Sequence, residues 1–242
     1  MKKRLFSIMI IAAFAMGTIP AQDLQEILDT YFETIGQENL VDVKTMVSTG
    51  TMMQMGMELP FKSIFKRPDK AYLEAEIQGA MMKQGYDGKN GWMVAPWTGS
   101  AEPIDLTGPD LRGLQDMADI DGPLWNYQEK GHQLELLDTE NMEGSEVFVL
   151  KLTKKDGDIN HLYLDSENYV VLKVKSKTIV NDSEVEIESV MSNFQEVNGY
   201  IMAFTTEQSF GGQVGMTINI EDVKTNEEVE DNIFNKPVTP QE

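Results

Sequence analysis

Residues 43–77, VKTMVSTGTMMQMGMELPFKSIFKRPDKAYLEAEI, alternate apolar and polar side chains with a period of two, the pattern of extended strands that turn one face to a core. Val43, Val47, Met53, Met55 and Met57 fall on one face of a long first strand, with Lys44, Ser48, Gln54 and Glu58 on the other. Pro60 reads as its turn. Phe61, Phe65 and Arg67 alternate on the return strand, Lys66-Arg67-Pro68-Asp69 makes a corner, and Leu73, Ala75 and Ile77 alternate beyond it. This is an antiparallel meander.

Before the meander, Leu24, Ile27, Leu28, Tyr31 and Ile35 recur at helical spacing, with Asp23 and Glu26 placed as a cap and its partner and Gly36 as a stop. After it, Met82 to Tyr86 leads through Asp87-Gly88-Lys89-Asn90-Gly91 to a short strand, residues 92–95. Alternation resumes near Gln133 and runs through 147–152, 160–164, 170–174, 185–191, 200–204 and 214–220. Glu184, Glu186 and Glu188 face water there, while Val185 and Ile187 face in. Between these halves, residues 96–130 are rich in Gly, Pro and Asp. Thr107 and Asp110 are placed to cap a helix carrying Leu111, Leu114 and Met117, and Trp97, Trp125 and Tyr127 add apolar bodies. So long an insertion reads as a lid rather than a linker.

The expected fold is mainly β: an unclosed antiparallel barrel of about eleven strands with an N-terminal helix and a helical lid insertion. Nothing alternates as βαβ units would. Residues 1–21 read as a signal peptide, with Lys2, Lys3 and Arg4 before an apolar run and Ile19-Pro20-Ala21 at its exit. Residues 22–237 then form a single domain, with 96–130 as the insertion and 238–242 as a tail.

The 242 residues include 40 Asp+Glu against 20 Lys+Arg, a formal charge of -20, which repels nucleic-acid phosphates and anionic lipid headgroups. Without Cys there is no disulfide, thiolate or lipidation point, and only His132 and His161 offer imidazole to a metal. No nucleophile elbow, phosphate loop or dinucleotide fingerprint is present, so no enzyme activity, cofactor or metal is expected. Asp156, Asp158, Asn160 and Glu167 match calcium-loop spacing, but His161 takes the glycine position and strand alternation continues through Leu162 and Leu164. A hairpin turn at Lys155-Asp156-Gly157-Asp158 is the better reading.

Methionine is abundant, 16 in all. Met52, Met53, Met55, Met57, Met81, Met82 and Met93 act either as gap-filling core or as a compliant wall that re-packs around flexible chains. Arg67 shares strand parity with Phe61 and Phe65. It either snorkels at the strand end or points inward, where its guanidinium must find carbonyl or carboxylate partners.

The order of basic-apolar leader, helix, long strand, Lys66-Arg67-Pro68, Asp87-Gly88-Lys89, Gly91-Trp92 and Ala95-Pro96, closed by Val197-Asn198-Gly199-Tyr200 and Ile233-Phe234, resembles the LolA-like outer-membrane lipoprotein-sorting carriers over about residues 22–237. That resemblance implies helices across the mouth of an unclosed barrel and an apolar interior that receives acyl chains. The residue pattern itself gives the candidate cavity wall, Met53, Met55, Met57, Phe61, Phe65, Leu73, Met82 and Trp92, and the candidate lid residues Trp97, Leu111, Leu114 and Trp125, to which the resemblance adds Arg67 as a latch. Arg67, matching the family's KRP arginine, would hydrogen-bond lid backbone in the closed, empty state. The insertion matches the family in position but not in residues, and the Met-rich first strand has no counterpart.

The expected protein is an exported, soluble, periplasmic monomer without a lipid anchor. It carries lipoprotein or lipid between donor and acceptor membrane proteins and binds no nucleic acid. An envelope-stress sensor or protein-interaction module on the same fold is the alternative, and an exported hydrolase would need convergent polar groups in the cavity.

Overall fold

The 43–77 stretch folds as successive hairpins, not as one long strand and its return. In the computed structural model, which describes residues 23–95, 102–180 and 183–238, β1 (Thr45–Gln54) and β2 (Met57–Lys66) meet at Met55 and Gly56. Their φ angles of 50° and 75° are the paired positive values of a tight hairpin turn. Pro60 is therefore not the turn; it lies within β2, opposite Thr51.

The meander continues through β3 (Lys70–Ile77), β4 (Ala80–Tyr86), β5 (Gly91–Val94) and β6 (Ile104–Leu106). After the insertion come β7 (Gln133–Met142), β8 (Ser145–Thr153), β9 (Ile159–Asp165), β10 (Val171–Val180), β11 (Ser183–Val197), β12 (Tyr200–Phe210) and β13 (Gln213–Thr225). All thirteen join one antiparallel sheet in the order β6-β5-β4-β3-β2-β1-β13-β12-β11-β10-β9-β8-β7. The pairing of β1 with β13 joins two meanders edge to edge, and β6 and β7 remain as edges, so the barrel is unclosed. Thirteen strands replace the expected eleven, partly because the three-residue β6 lies inside the insertion, where no alternation marks it.

Register fixes which side chains share a face. One rung crosses nine strands as Leu136, Leu150, Leu162, Val174, Ser189, Gln208, Met216, Gln54 and Met57. The helices lie on this inner face. α1 (Leu24–Ile35) is capped by Asp23, whose side chain accepts from Gln25 N, and ends at Gly36 in the left-handed region. Its Ile27 and Leu28 pack against Phe148, Leu150, Leu152, Leu162 and Leu164 of β8 and β9. Gly36 opens directly into α2 (Gln37–Val41), and a Cβ there would sit 1.9 Å from Gly199 O, so only glycine fits this crossing.

α3 (Gly108–Ala118) covers the other wing, with Leu114 and Ala118 buried against Ala71, Tyr86 and Leu106. Thr107 is its N-cap by position, yet its side chain makes no capping hydrogen bond; Pro109 in the first turn, with its fixed φ, starts the helix instead. On the outer face, Trp92 is anchored by a 2.8 Å bond from Nε1 to Phe234 O, and Phe234 is fully buried in the 3-10 turn Asp231–Phe234.

Candidate functional site

The inner face carries the unusual chemistry. The nine-strand rung holds no charged residue, nor does the rung Met191, Thr206, Ile218, Met52, Leu59, nor the rung Ile220, Gly50, Phe61, Ala75, Met82. In a chain with 40 acidic residues this is a strong segregation. The charges go to the outer face, where Lys175 and Lys177 of β10 stand opposite Glu188 and Glu186 of β11.

Among the described residues, no helix packs over one part of the inner face. The clusters under α1, α2 and α3 each contain helix residues, but Phe61, Ala75 and Met82, with Met52, Leu73, Ile77, Ile218 and Ile220 around them, form a cluster built from strands alone. Farther along, Ile187, Met191 and Ser176 are half-buried. Phe61, Ala75 and Met82 are at most 9% exposed, while the apolar residues flanking them are half-buried, so this surface is too apolar to be an indifferent exterior.

The boundary of that surface is polar and crosses from one wing to the other. Asp116 on α3 pairs with Lys154 at 2.7 Å, and Arg112 Nε lies 3.4 Å from Asp158 and 3.7 Å from Asp156. Lys154, Asp156 and Asp158 belong to the turn between β8 and β9, closed by Lys154 N donating to Asp158 O at 2.8 Å. The calcium-like spacing is thus a hairpin turn whose carboxylates hold α3. Between α3 and β9–β11 a cleft of about 490 Å³ is lined by Arg112, Asp116, Lys154, Asn160, Ser176 and Ile187, opening onto the inner face.

At the opposite side of α3, Arg67 gathers three segments. Its Nε donates to Val43 O at 2.7 Å and its Nη2 to Leu40 O at 3.0 Å, while Nη2 and Nη1 grip Asp121 Oδ1 and Oδ2 at 2.6 and 2.5 Å. Gln37 Nε2 also donates to Asp121 Oδ1, at 3.2 Å. The hydrogen bonds that Arg67 donates to Asp121 raise the Arg67 pKa against the opposing effect of burial, and burial with the nearby Asp121 charge pushes Tyr200 up to about 12. The lid partner is therefore the Asp121 carboxylate, not lid backbone; the backbone carbonyls come from α2 and its exit. A bidentate Arg–carboxylate pair of this kind is directional and strong.

The remaining sequence-derived site residues divide. Phe61, Leu73 and Met82 lie together on the inner face in the cluster built from strands, Phe65 lies beside them under α2 and α3, and Met57 ends the nine-strand rung. Met53 does not join them: it faces Glu58 on the outer side and is 39% exposed. Met55 sits at the hairpin tip, 90% exposed, and Trp92 is an outer-face anchor. The parity fails because the Met55–Gly56 turn reverses the chain in the middle of the methionine run. Inner-face residues are even-numbered in β1 and odd-numbered in β2, so Met46 and buried Ser48 were missed, and of the first-strand methionines named it is Met52 that lies on this face. Leu111 and Leu114 pack at Gly91, where a Cβ would lie 2.8 Å from Leu111 Cδ1. Trp125 meets Phe32 of α1 edge-on at 4.9 Å. Trp97 lies outside the described residues. Among the described residues no three His, Asp or Glu side chains gather to hold a metal ion, and no helix is long and apolar enough to cross a membrane.

The same architecture occurs in solved structures. A LolA superfamily protein from Nitrosomonas europaea superposes with a TM-score of 0.59 at 17% identity, covering 89% of this chain and 99% of its own. A putative outer membrane lipoprotein-sorting protein domain from Vibrio parahaemolyticus gives 0.55 at 18% identity, with 84% and 96% covered. The chain has a LolA-like fold. A DUF1329 family protein from Desulfovibrio piger shares it, with a TM-score of 0.60 at 12% identity over 86% of this chain and 97% of that one. No family model and no curated protein sequence matches. At these identities the LolA-like likeness is one of fold, and function rests on the site.

Proposed function

We propose that the protein is a periplasmic carrier whose inner face binds the acyl chains of lipoproteins or other lipids and passes them between membrane donors and acceptors. The observation that carries this reading is the run of uncharged inner-face rungs, with no helix among the described residues packed on the Phe61, Ala75, Met82 cluster between α1 and α3. At about 0.8 kcal/mol per buried CH₂, a sixteen-carbon chain costs roughly 12 kcal/mol to leave in water, so passage through an aqueous space needs such a face. The surface offers apolar contact and few hydrogen-bond partners, which favours an alkyl chain over a polar solute. The LolA-like fold is consistent with this use.

Release follows from the boundary. When α3 and the 119–131 segment are held down by Lys154 and Arg67, cargo competes with closure, which lowers net affinity by the free energy of that closure. Arg67 then acts as the latch, letting Asp121 go as a chain enters. Handover proceeds to any acceptor that binds the chain more tightly, with no energy source on this protein.

Native mass spectrometry of protein isolated from the envelope, followed by titration of the delipidated protein with a fluorescent acyl probe, tests the reading. Bound lipid and saturable probe uptake are expected. A protein that is isolated empty and leaves the probe in water overturns the carrier reading, and co-purification of a regulatory membrane protein in place of lipid would assign the fold to sensing.

A further inference from the structure

One stretch of the sheet's rim carries no charge. The turns β1–β2, β3–β4 and β12–β13 lie at one end, because strands alternate in direction across the sheet; the charged β8–β9 turn, Lys154 to Asp158, shares that end but stands on the far wing. Residues 50–57, 77–82 and 208–220, which build these turns and their approaches, contain no Asp, Glu, Lys or Arg. At the opposite end the turns read Lys66-Arg67-Pro68-Asp69-Lys70, Asp87-Gly88-Lys89-Asn90 and Asp165-Ser166-Glu167-Asn168, and the acidic segment 227–231 packs beside Thr45 and Lys66.

Apolar side chains stand out along this uncharged stretch of rim. Met55 is 90% exposed, Val214 63%, Phe210 41% and Met81 40%. Single exposed apolar residues are ordinary, but these occupy the tips of hairpins along one rim, and the rim is continuous with the apolar inner face through Met57, Met216 and Ile77. The ladder opens there as well. Pairing of β2 with β3 ends at Phe61–Ala75, and Pro60, with no N–H to give, stands just past that point. A notch of about 430 Å³ follows, between residues 57–60 and 76–79; its only carboxylates, Glu58 and Glu76, belong to the outer face by register.

We propose that this rim is the surface through which the protein touches a lipid bilayer, with Met55, Phe210 and Val214 entering the boundary between headgroups and acyl chains. The inference rests on the carrier reading, and it supplies the route by which a chain moves between bilayer and inner face without crossing charged surface. Charge selects the bilayer. A body of formal charge -20 is repelled by anionic headgroups, whereas net-neutral headgroups leave the short-range apolar contact unopposed. A few side chains give less hold than a single acyl anchor, itself only marginal, so contact is brief and reversible.

Flotation of the full chain with vesicles tests this. Binding to phosphatidylcholine vesicles is expected, with weaker binding once phosphatidylglycerol is mixed in. The double variant Met55→Glu, Val214→Glu alters two exposed tips and no buried side chain; it should bind phosphatidylcholine about tenfold more weakly while taking up a fluorescent acyl probe as the parent does. Parent protein that ignores the vesicles, or a double variant that binds them unchanged, overturns the rim proposal, as does rim-dependent capture by a membrane protein without vesicle binding. Normal probe uptake alongside either result leaves the carrier reading standing. Rim-dependent vesicle binding without any probe uptake sustains the rim and sinks the carrier.

Discussion

Two helices cover opposite wings of one inner face, and different forces hold them. Under α1 the contact is dry: Ile27, Leu28, Leu150, Leu152 and Leu164 are all at most 1% exposed. Under α3 the apolar contact is narrower, Leu114 and Ala118 on Ala71 and Tyr86, and its outward side is tied by Arg112 and Asp116 to the β8–β9 turn. Apolar burial is lost in full when such a helix lifts, whereas ion pairs at a solvent edge trade partners with water at little net cost. On the carrier reading proposed above, α1 is part of the framework and α3 is the cover that lifts.

The largest effect should come from the dry wing. Leu150→Ala leaves a cavity with nothing nearby to refill it, and should lower unfolding free energy by about 2–5 kcal/mol in denaturant titration without changing acyl-probe affinity of the folded fraction. Arg67→Leu comes next. It strands Asp121 and the Val43 and Leu40 carbonyls, so a loss of about 2–3 kcal/mol is expected, with faster amide exchange in α2 and the 119–131 segment. If exchange rose equally in α1, the division into framework and cover would fail. Lys154→Met removes one partner of the clasp but leaves Asp116, 58% exposed at its side chain, to water. Stability should change by less than about 1 kcal/mol, while probe release speeds up.

The smallest effect is that of pH. His132 Nδ1 accepts from Lys155 N at 3.0 Å, and burial, with Lys130 and Lys154 nearby, holds its pKa below the usual histidine value. The folded state favours the neutral ring, so this contribution is fully present above the unfolded pKa near 6.5 and is lost as pH falls through the lower folded value. A shallow fall in stability on acidification, absent from His132→Gln, is the expected result in denaturant titrations across that window.

Much of the fold was legible because it follows from period and punctuation. The amphipathic run between Asp23 and Gly36, the alternation in β3 and β8–β13, and the Asp87–Asn90 corner each carry a local signal that the tertiary structure kept. Errors arose where local signals compete. Pro60 reads as a breaker, yet the turn lies at Met55–Gly56, where methionine accepts a positive φ that nothing in its side chain announces. That single shift moved Met53 and Met55 off the inner face. Ser48 hid in the opposite way, a polar residue on the buried side of β1. Arg67 was legible as an inward cation needing partners, but Asp121 was not, since a contact across 54 residues has no local trace. The clasp between Arg112, Lys154 and the β8–β9 carboxylates was missed for the same reason.

Mapping where a bound acyl chain lies is the most direct test. A fatty acid carrying a photoreactive group along its chain, irradiated in complex with the protein and followed by peptide mass spectrometry, should label Met52, Ile187, Met191 and Ile218, and excess unlabelled lipid should suppress that labelling. Labelling confined to the outer face around Trp92 and Val149, or labelling that excess lipid does not suppress, would contradict an inner face built to hold lipid.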